Sequence, residues 1–352
     1  MRDVKRIGLD LAKNIFYVHG VDDREKVVAK KKLNRSQVLT FFANLKPCLV
    51  GMEVGCNANY WAREINKLGH TAKLMPPQFV KPYVKSNKND PNDAEGICEA
   101  VSRPNMRFTE PKTIDQQDIQ SVHRIRERLV SSKRTLANEI RGLLGEYGLV
   151  VSVGLDNLTS KLPEIIADND NQLTSLTRAL VRDLAEELDE IIKKVERYDA
   201  RVKLIHDNHP VAKQLTTIPG VGPLAATAML AIAVDPKSFK NGREFAAYLG
   251  LVPRQNSSGG KQQLLGISKR GDKYIRTMLI HGTRVTLGHA TKRKLHQVPW
   301  KRIEWMKDLK ERRGFNKTAV AMANKNARIA WALMAKGGYY KPSLAEPKAQ
   351  VA

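Results

Sequence analysis

The chain has 352 residues, and its 60 Lys plus Arg outnumber 36 Asp plus Glu to give a net charge of +24. This length suits two or three domains of about 100–200 residues each, and a 42% share of hydrophobic residues excludes global disorder. No apolar run approaches the ~20 residues that span a bilayer, and MRDVKRIGLD at the start lacks a signal-peptide core. We therefore expect a cytoplasmic chain with no membrane partner. Three cysteines, Cys48, Cys56 and Cys98, form no C-x-x-C pair, which fits a reducing compartment and argues against a disulfide framework or a zinc site.

The first third alternates strands with helices. Ile7, Leu9 and Leu11 alternate within Arg6–Leu11, which is strand periodicity. Phe16–Val21 and Lys26–Leu33 read as two more strands, and Asn34 caps a helix running to about Leu45. Cys48–Val54 reads as a strand, Asn57–Lys67 as a helix and Thr71–Met75 as a strand. Helical segments follow after Pro77 and from Asp93 to about Val101. This order suits a central sheet of mixed direction, antiparallel first and then crossing over through helices.

The middle third changes period. Val122, Ile125, Leu129, Leu136, Ile140, Leu143 and Tyr147 step by three and four, with Ser132 at one core-facing position. After a polar loop from Gly148 to Gln172, Leu173, Leu176, Leu180, Leu184, Leu188, Ile191, Val195, Tyr198, Val202 and Ile205 repeat the spacing. That is a coiled-coil signal, with the helices pairing together or with another subunit. Leu215 to Ala226 then reads as a tight glycine turn between two apolar helices, like a helix-hairpin-helix whose Gly220 and Gly222 amides hold a phosphate. The alternative for the turn is an ordinary helix–helix corner. A dinucleotide fingerprint is rejected, because Pro219 and Pro223 flank the turn and no strand precedes it. A helix follows at Gly242–Gly250, then a Gly/Ser/Gln-rich loop from Leu251 to Gly271, helices near Lys273–Thr286 and Lys317–Lys336, and a loose tail. The expected domains are 1–112, 113–208 and 209–340, with a tail at 341–352.

The charge follows these divisions. Residues 1–112 carry 20 basic and 12 acidic side chains, 113–207 carry 14 and 17, and 237–341 carry 24 and 5. A surplus of this size in one region is costly in self-repulsion, and phosphates would neutralise it. Nucleic acid is the expected partner.

Two groups of residues carry chemistry. Asp10 lies on the first strand, opposite in facing to Ile7, Leu9 and Leu11, and Glu53 lies at the end of the fourth. Asp90 and Asp93 open a later helix with a spacing that puts both on one side of its first turn. Taken alone, each has a plain reading: a solvated strand position, or capping and favourable placement in the helix dipole. Together they form the layout of a ribonuclease-H-like nuclease, whose carboxylates gather Mg²⁺ at a phosphodiester. The second group is Ser257-Ser258-Gly-Gly, surrounded by Arg254, Lys261, Lys269, Arg270, Lys273 and Arg276. A flexible linker is the plain reading. A phosphate held by the cations and attacked by a serine hydroxyl is the chemical one.

The ordered set Gly8-Leu-Asp-Leu-Ala-Lys13, Gly51-Met-Glu53, Asp90-x-x-Asp93-Ala, Ile218-Pro-Gly-Val-Gly-Pro223, Gly250-Leu-Val-Pro253, Ser258-Gly and Ile267-Ser-Lys-Arg-Gly271 resembles the DEDD-type insertion-sequence transposases. These are serine-containing recombinases guided by a bridge RNA. The resemblance runs from about residue 5 to residue 337. It implies an RNase H/RuvC-like α/β N-terminal domain, a coiled-coil helical linker and a mostly helical C-terminal transposase domain. It implies Asp10, Glu53, Asp90 and Asp93 as the metal-holding acids, Mg²⁺ as cofactor and Ser258 as nucleophile. Its further implications are target and donor DNA and a structured guide RNA as partners, a homodimer or tetramer as the working unit, and a place beside the bacterial nucleoid. Two other readings remain at this stage: a RuvC-like endonuclease acting through activated water, and a non-enzymatic nucleic-acid-binding protein. A denaturant-resistant protein–DNA adduct separates the first reading from both.

Overall fold

The computed structural model describes residues 3–85, 89–232, 235–290 and 300–341, and it forms two compact units, Met1–Ile114 and Asp115–Ala352. The first unit contains, in chain order, β1 (Arg6–Leu11), β2 (Ile15–Val21), β3 (Val27–Asn34), α1 (Val38–Ala43), β4 (Leu49–Glu53), α2 (Ala58–Lys67), β5 (Thr71–Met75), α3 (Pro77–Val80) and α4 (Asp90–Ala100). The strands form one sheet in the order β3-β2-β1-β4-β5. The first three pair antiparallel, and β4 and β5 run parallel to β1, as the alternation of elements predicts.

Each face of this sheet is set by period-two patterning. Ile7 and Leu9 of β1 have no exposed surface and pack with Val50 and Met52 against Phe41 and Phe42 of α1 and Trp61, Ala62 and Ile65 of α2. On the opposite face two glycines, Gly8 and Gly51, meet α4. A Cβ on Gly8 would lie 2.1 Å from the carbonyl oxygen of Ala94, and one on Gly51 would lie 2.7 Å from Val101. Glycine at both positions lets α4 lie flat on β1 and β4. The Cys98 thiol, held at this contact, is pushed above its ordinary pKa, chiefly by burial. The edge strand β3 exposes Lys30, Lys31 and Lys32, charges that blunt an otherwise unpaired edge.

The second unit begins with a helical assembly of α5 (Ile114–Gly145), α6 (Leu155–Ala167) and α7 (Ser175–Asn208). The stretch from Gly148 to Gln172, read as a loop, therefore contains a helix. Leu158 and Leu162 of α6 join Leu136, Ile140 and Leu144 of α5 and Val181, Leu188 and Ile191 of α7 in one core. This third helix also corrects the expected stripe of α7. Thr177 and Val181 turn inward, and the Thr177 hydroxyl bonds the Tyr147 hydroxyl at 2.7 Å, while Leu176 and Leu180 are 70% and 47% exposed. Arg178 ties the two helices by donating to the carbonyls of Ile166 at 2.8 Å and Asp168 at 2.7 Å, groups that the C-terminal turn of α6 leaves unpaired.

The chain continues through α8 (Pro210–Leu215), α9 (Pro223–Ile232), α10 (Gly242–Tyr248), a two-stranded hairpin of β6 (Pro253–Gln255) and β7 (Leu264–Ile267), α11 (Lys273–Ala290), α12 (Trp300–Arg313) and α13 (Phe315–Lys336). The hairpin replaces the expected loop at Leu251–Gly271. The sequence shows no periodic signal for α12, because among its described residues one large apolar side chain, Met306, is completely buried, packing with Leu287 and Met322. Leu215, Ala226, Met229, Phe245, Leu279, Ala323 and Ala327 form the main core of this part. The expected tail lies outside the described residues, apart from Lys341. Among the described residues no helix is long and apolar enough to cross a membrane.

Candidate active site: a carboxylate corner and a serine hairpin

The parallel ladder between β1 and β4 pairs Arg6 with Leu49, Ile7 with Val50 and Gly8 with Gly51. Asp10 and Glu53 each lie two residues further along, so both stand at the carboxyl ends of adjacent parallel strands and on the face that carries α4. Chain order reverses across the sheet at this pair of strands, and the crevice outside such a switch point is where open α/β sheets hold ligands. Both side chains are half-buried.

Helix α4 brings the other two acids to the same end. Gly8 abuts Ala94 and Cys98, and the Cys98 thiol points to the carbonyl of Arg6 at 3.9 Å. The helix therefore runs against β1, with its N-terminus towards Asp10. At ~3.3 Å per strand residue and ~1.5 Å per helix residue, the two steps from Gly8 to Asp10 match about four steps from Ala94 back to Asp90. Asp93 lies one turn before Ile97, which packs against Met75, the β5 partner of Glu53. Asn89 caps the helix by accepting from the Asn92 amide at 2.9 Å, and Pro91 occupies the first turn, where its missing N–H is not needed. The positive end of the helix dipole thus lies under Asp90 and Asp93.

The donors at this corner are carboxylates, which suit a hard cation such as Mg²⁺. Among the described residues no three His, Cys, Asp or Glu side chains converge as a group that could hold a metal ion. The four acids share one end of the sheet without forming a closed cage. Behind them His19, paired across the sheet with Gly8, lies 3.9 Å from Glu95, and burial pushes its pKa down while Glu95 opposes the shift.

The serine lies at the tip of the β6–β7 hairpin. Lys261 donates its amide to the Ser258 carbonyl at 3.0 Å, closing a four-residue turn around Gly259 (φ +54°) and Gly260 (φ +76°). Positive φ at both central positions is the hairpin turn whose twist matches the flanking strands. The two serines differ. The Ser257 hydroxyl accepts from the Gln263 amide at 3.1 Å and from the Gln255 side-chain amide at 3.0 Å. The Ser258 side chain is exposed, outside the hydrogen bonds that stitch the two strands together.

The base of the hairpin is tight. A Cβ on Gly250 would lie 2.1 Å from the carbonyl oxygen of Arg270, and one on Gly271 would lie 1.9 Å from that of Tyr248. Arg276, expected to hold phosphate, is instead buried here and donates to the carbonyls of Leu249 at 3.1 Å and Arg270 at 3.2 Å. It braces the hairpin. Arg254, Lys261, Lys269, Arg270 and Lys273 are exposed around it. In the turn between α8 and α9, Gly220 (φ +87°) presses on α11, where a Cβ on Gly282 would lie 1.8 Å from the Gly220 carbonyl oxygen. Gly222 has open space around it.

The profile of the Transposase IS116/IS110/IS902 family matches residues 212–298, and that of the IS110 DEDD transposases matches residues 7–148. The chain belongs to the IS110/IS116 transposase family. The "Probable family 20 transposase" of Pseudomonas aeruginosa is 47% identical over 97% of this chain and 99% of its own length. The "Transposase for insertion sequence element IS1111A" of Coxiella burnetii is 43% identical over 97% and 92%. The "Transposase for insertion sequence element IS1328" of Yersinia enterocolitica is 38% identical over 96% and 98%. The chain is thus an insertion-sequence transposase, a DNA recombinase, and the non-enzymatic reading falls. Its DEDD domain implies a ribonuclease-H-like fold and use of a divalent metal.

Proposed function

We propose that this transposase cuts and rejoins DNA through a covalent phosphoserine made by Ser258, with Asp10, Glu53, Asp90 and Asp93 as the residues that would hold Mg²⁺. The observation that carries the nucleophile is the division of labour between the two serines: Ser257 is spent on the hairpin, and Ser258 stands at its tip. Bound Mg²⁺ would supply charge neutralisation at the scissile phosphate. The Ser258 oxygen bonds to phosphorus as one phosphorus–oxygen bond of the DNA breaks, and the hydroxyl proton ends on the departing DNA oxygen. A second DNA end then attacks the phosphoserine, so the strand is rejoined with no external energy source. Arg254, Lys261, Lys269, Arg270 and Lys273 surround the serine and hold the anionic strand.

The same reading includes a structured guide RNA that pairs with target and donor DNA. It also includes a homodimer or tetramer in which Ser258 of one subunit serves the carboxylates of another. The basic surplus of 237–341 supports polynucleotide binding, and the long helices α5 and α7 suit an assembly role. The test is a denaturing gel of full-length protein with DNA and Mg²⁺. Wild type and Ser257→Ala should give a denaturant-resistant adduct, and Ser258→Ala should give none. Cleavage without any adduct would favour activated water instead. Sequencing of the small RNA that co-purifies, matched against product junctions, tests the guide.

A further inference from the structure

At the same end of the sheet as the acids, but on its other face, lies an open cleft of about 590 Å³ bordered by Asn14, Asn34, Arg35, Ser36, Tyr60 and Trp61. Its position follows from topology. Asn14 is in the turn after β1, Asn34 ends β3 opposite Ile15, and Tyr60 and Trp61 are in the first turns of α2, a few residues beyond Glu53. Trp61 is on the buried stripe of α2, with its ring edge-on to Phe16 at 5.0 Å and to Tyr60 at 5.1 Å. Its indole N–H is buried without a hydrogen-bond partner. Tyr60, one residue before it, is turned off the stripe and is 40% exposed. The Arg35 guanidinium lies 5.0 Å from the Trp61 ring centre and donates to the Lys13 carbonyl at 3.3 Å.

Leu39 adds one apolar wall, and the rest of the lining carries recognisable chemistry. It offers an exposed aromatic ring, a guanidinium plane, two side-chain amides and a hydroxyl, and no carboxylate borders it. An aromatic face and a guanidinium stack on any base, and amides meet the hydrogen-bonding edge that an unpaired base exposes. The approach is also basic. Lys31 of the edge strand lies over the Phe41 ring at 5.7 Å, on the same face as the cleft, and Lys13 adjoins Asn14. Cations along a path that ends at an aromatic platform are the pattern of single-strand binding.

We propose that this cleft receives an unpaired nucleotide of a polynucleotide that runs past the end of the sheet where the acids lie. The base stacks on Tyr60 and Arg35, its edge meets Asn14 and Asn34, and the adjoining phosphates run past Lys13 and Lys31. The idea rests on the strand-transfer reading above and adds to it: the strand is read as a single strand at this end of the sheet, and duplex arriving there must open. The source of the nucleotide, DNA or RNA, is set by the sugar and is an arm of the test.

The test uses full-length protein in EDTA, with short single-stranded DNA and RNA oligonucleotides of one sequence that carry 2-aminopurine. Wild type should bind at least one of them more tightly than the matching duplex and quench its fluorescence by stacking. Tyr60→Ala should weaken that binding about 10-fold and abolish the quench, Tyr60→Phe should keep both, and Arg35→Gln should weaken binding independently. The tighter of the two wild-type complexes names the source. Wild-type affinity and quench in both Tyr60→Ala and Arg35→Gln would overturn the proposal. Binding in EDTA needs neither metal nor Ser258, so failure of the covalent adduct would refute the strand-transfer reading without touching this result, and the converse also holds.

Discussion

The carboxylate corner and the serine hairpin hold their functional groups in opposite ways. At the corner, Gly8 and Gly51 lie so close to α4 that an added Cβ would clash at 2.1 and 2.7 Å, so strand ends and helix are locked in register beneath Asp10, Glu53, Asp90 and Asp93. At the hairpin the locking stops at the base: Gly250 and Gly271 are equally crowded, but nothing lies within 4 Å of a Cβ placed on Gly259, Gly260 or Gly266. Carboxylates in the proposed metal-holding role must be held before the substrate arrives, because like charges brought together late would repel. The nucleophile proposed at Ser258 would gain from a free tip on a fixed base.

The largest expected effect breaks the comparison on the rigid side. Asp10→Asn or Glu53→Gln should lower Mg²⁺-dependent cleavage by 10²-fold or more with little change in thermal midpoint, since both side chains lie at the end of the sheet outside its apolar core. Mixing Glu53→Gln with Ser258→Ala protein sharpens the point. If the two sites meet across subunits, mixed assemblies regain cleavage that neither parent shows. Absence of rescue at every ratio would put both groups in one subunit, and robust cleavage by the two acid variants would end the metal-site assignment.

The two regions also differed in how far the sequence exposed them. Alternation at Ile7, Leu9 and Leu11 and the carboxylate at Asp10 were legible because a strand's period forces every second residue to one face. The register that sets Asp10 beside Glu53 was not, since parallel pairing joins residues more than 40 positions apart. Gly259-Gly260 between two short strands carried a hairpin signal, but Pro253–Gln255 and Leu264–Ile267 are too short and too exposed to show alternation. The α7 stripe turns away from Leu176 and Leu180 because α6, hidden in a polar stretch, covers the adjacent face. Arg276 was counted with the phosphate-binding cations because charge is visible in sequence and burial is not. The Tyr60–Trp61 pair had a readable sign, one aromatic on the apolar stripe of α2 and one off it.

A middle-sized effect separates base from tip. Gly271→Ala sets a Cβ 1.9 Å from the Tyr248 carbonyl oxygen at a φ of +82°, so backbone must shift as well as adopt a left-handed conformation. Gly259→Ala, at φ +54° with open space around it, incurs only the left-handed term of about 1–2 kcal/mol. Gly271→Ala should therefore lower the thermal midpoint clearly more than Gly259→Ala. Equal losses would mean that the hairpin base is not the fixed point described here.

The smallest effect concerns the helix that carries the hairpin base. His123 of α5 is buried between Thr227 of α9, 3.0 Å from Nε2, and Tyr274 of α11, 3.1 Å from Nδ1. The Thr227 hydroxyl donates to the Pro223 carbonyl at 2.8 Å, so it accepts from Nε2–H, and Nδ1 accepts from the Tyr274 hydroxyl. A neutral imidazole satisfies every group in this chain of bonds. Burial, with Arg126 adding repulsion, pushes the His123 pKa down to about 4, whereas the unfolded side chain titrates near about 6.5. Between those values the unfolded chain binds the extra proton, so stability falls as pH drops from about 6.5 towards 4, and above 6.5 this group adds no slope. Denaturant midpoints of the wild type should decline on acidification across that window, and His123→Gln, which keeps a polar partner but cannot titrate, should decline less. Parallel curves would show that folding does not lower the His123 pKa.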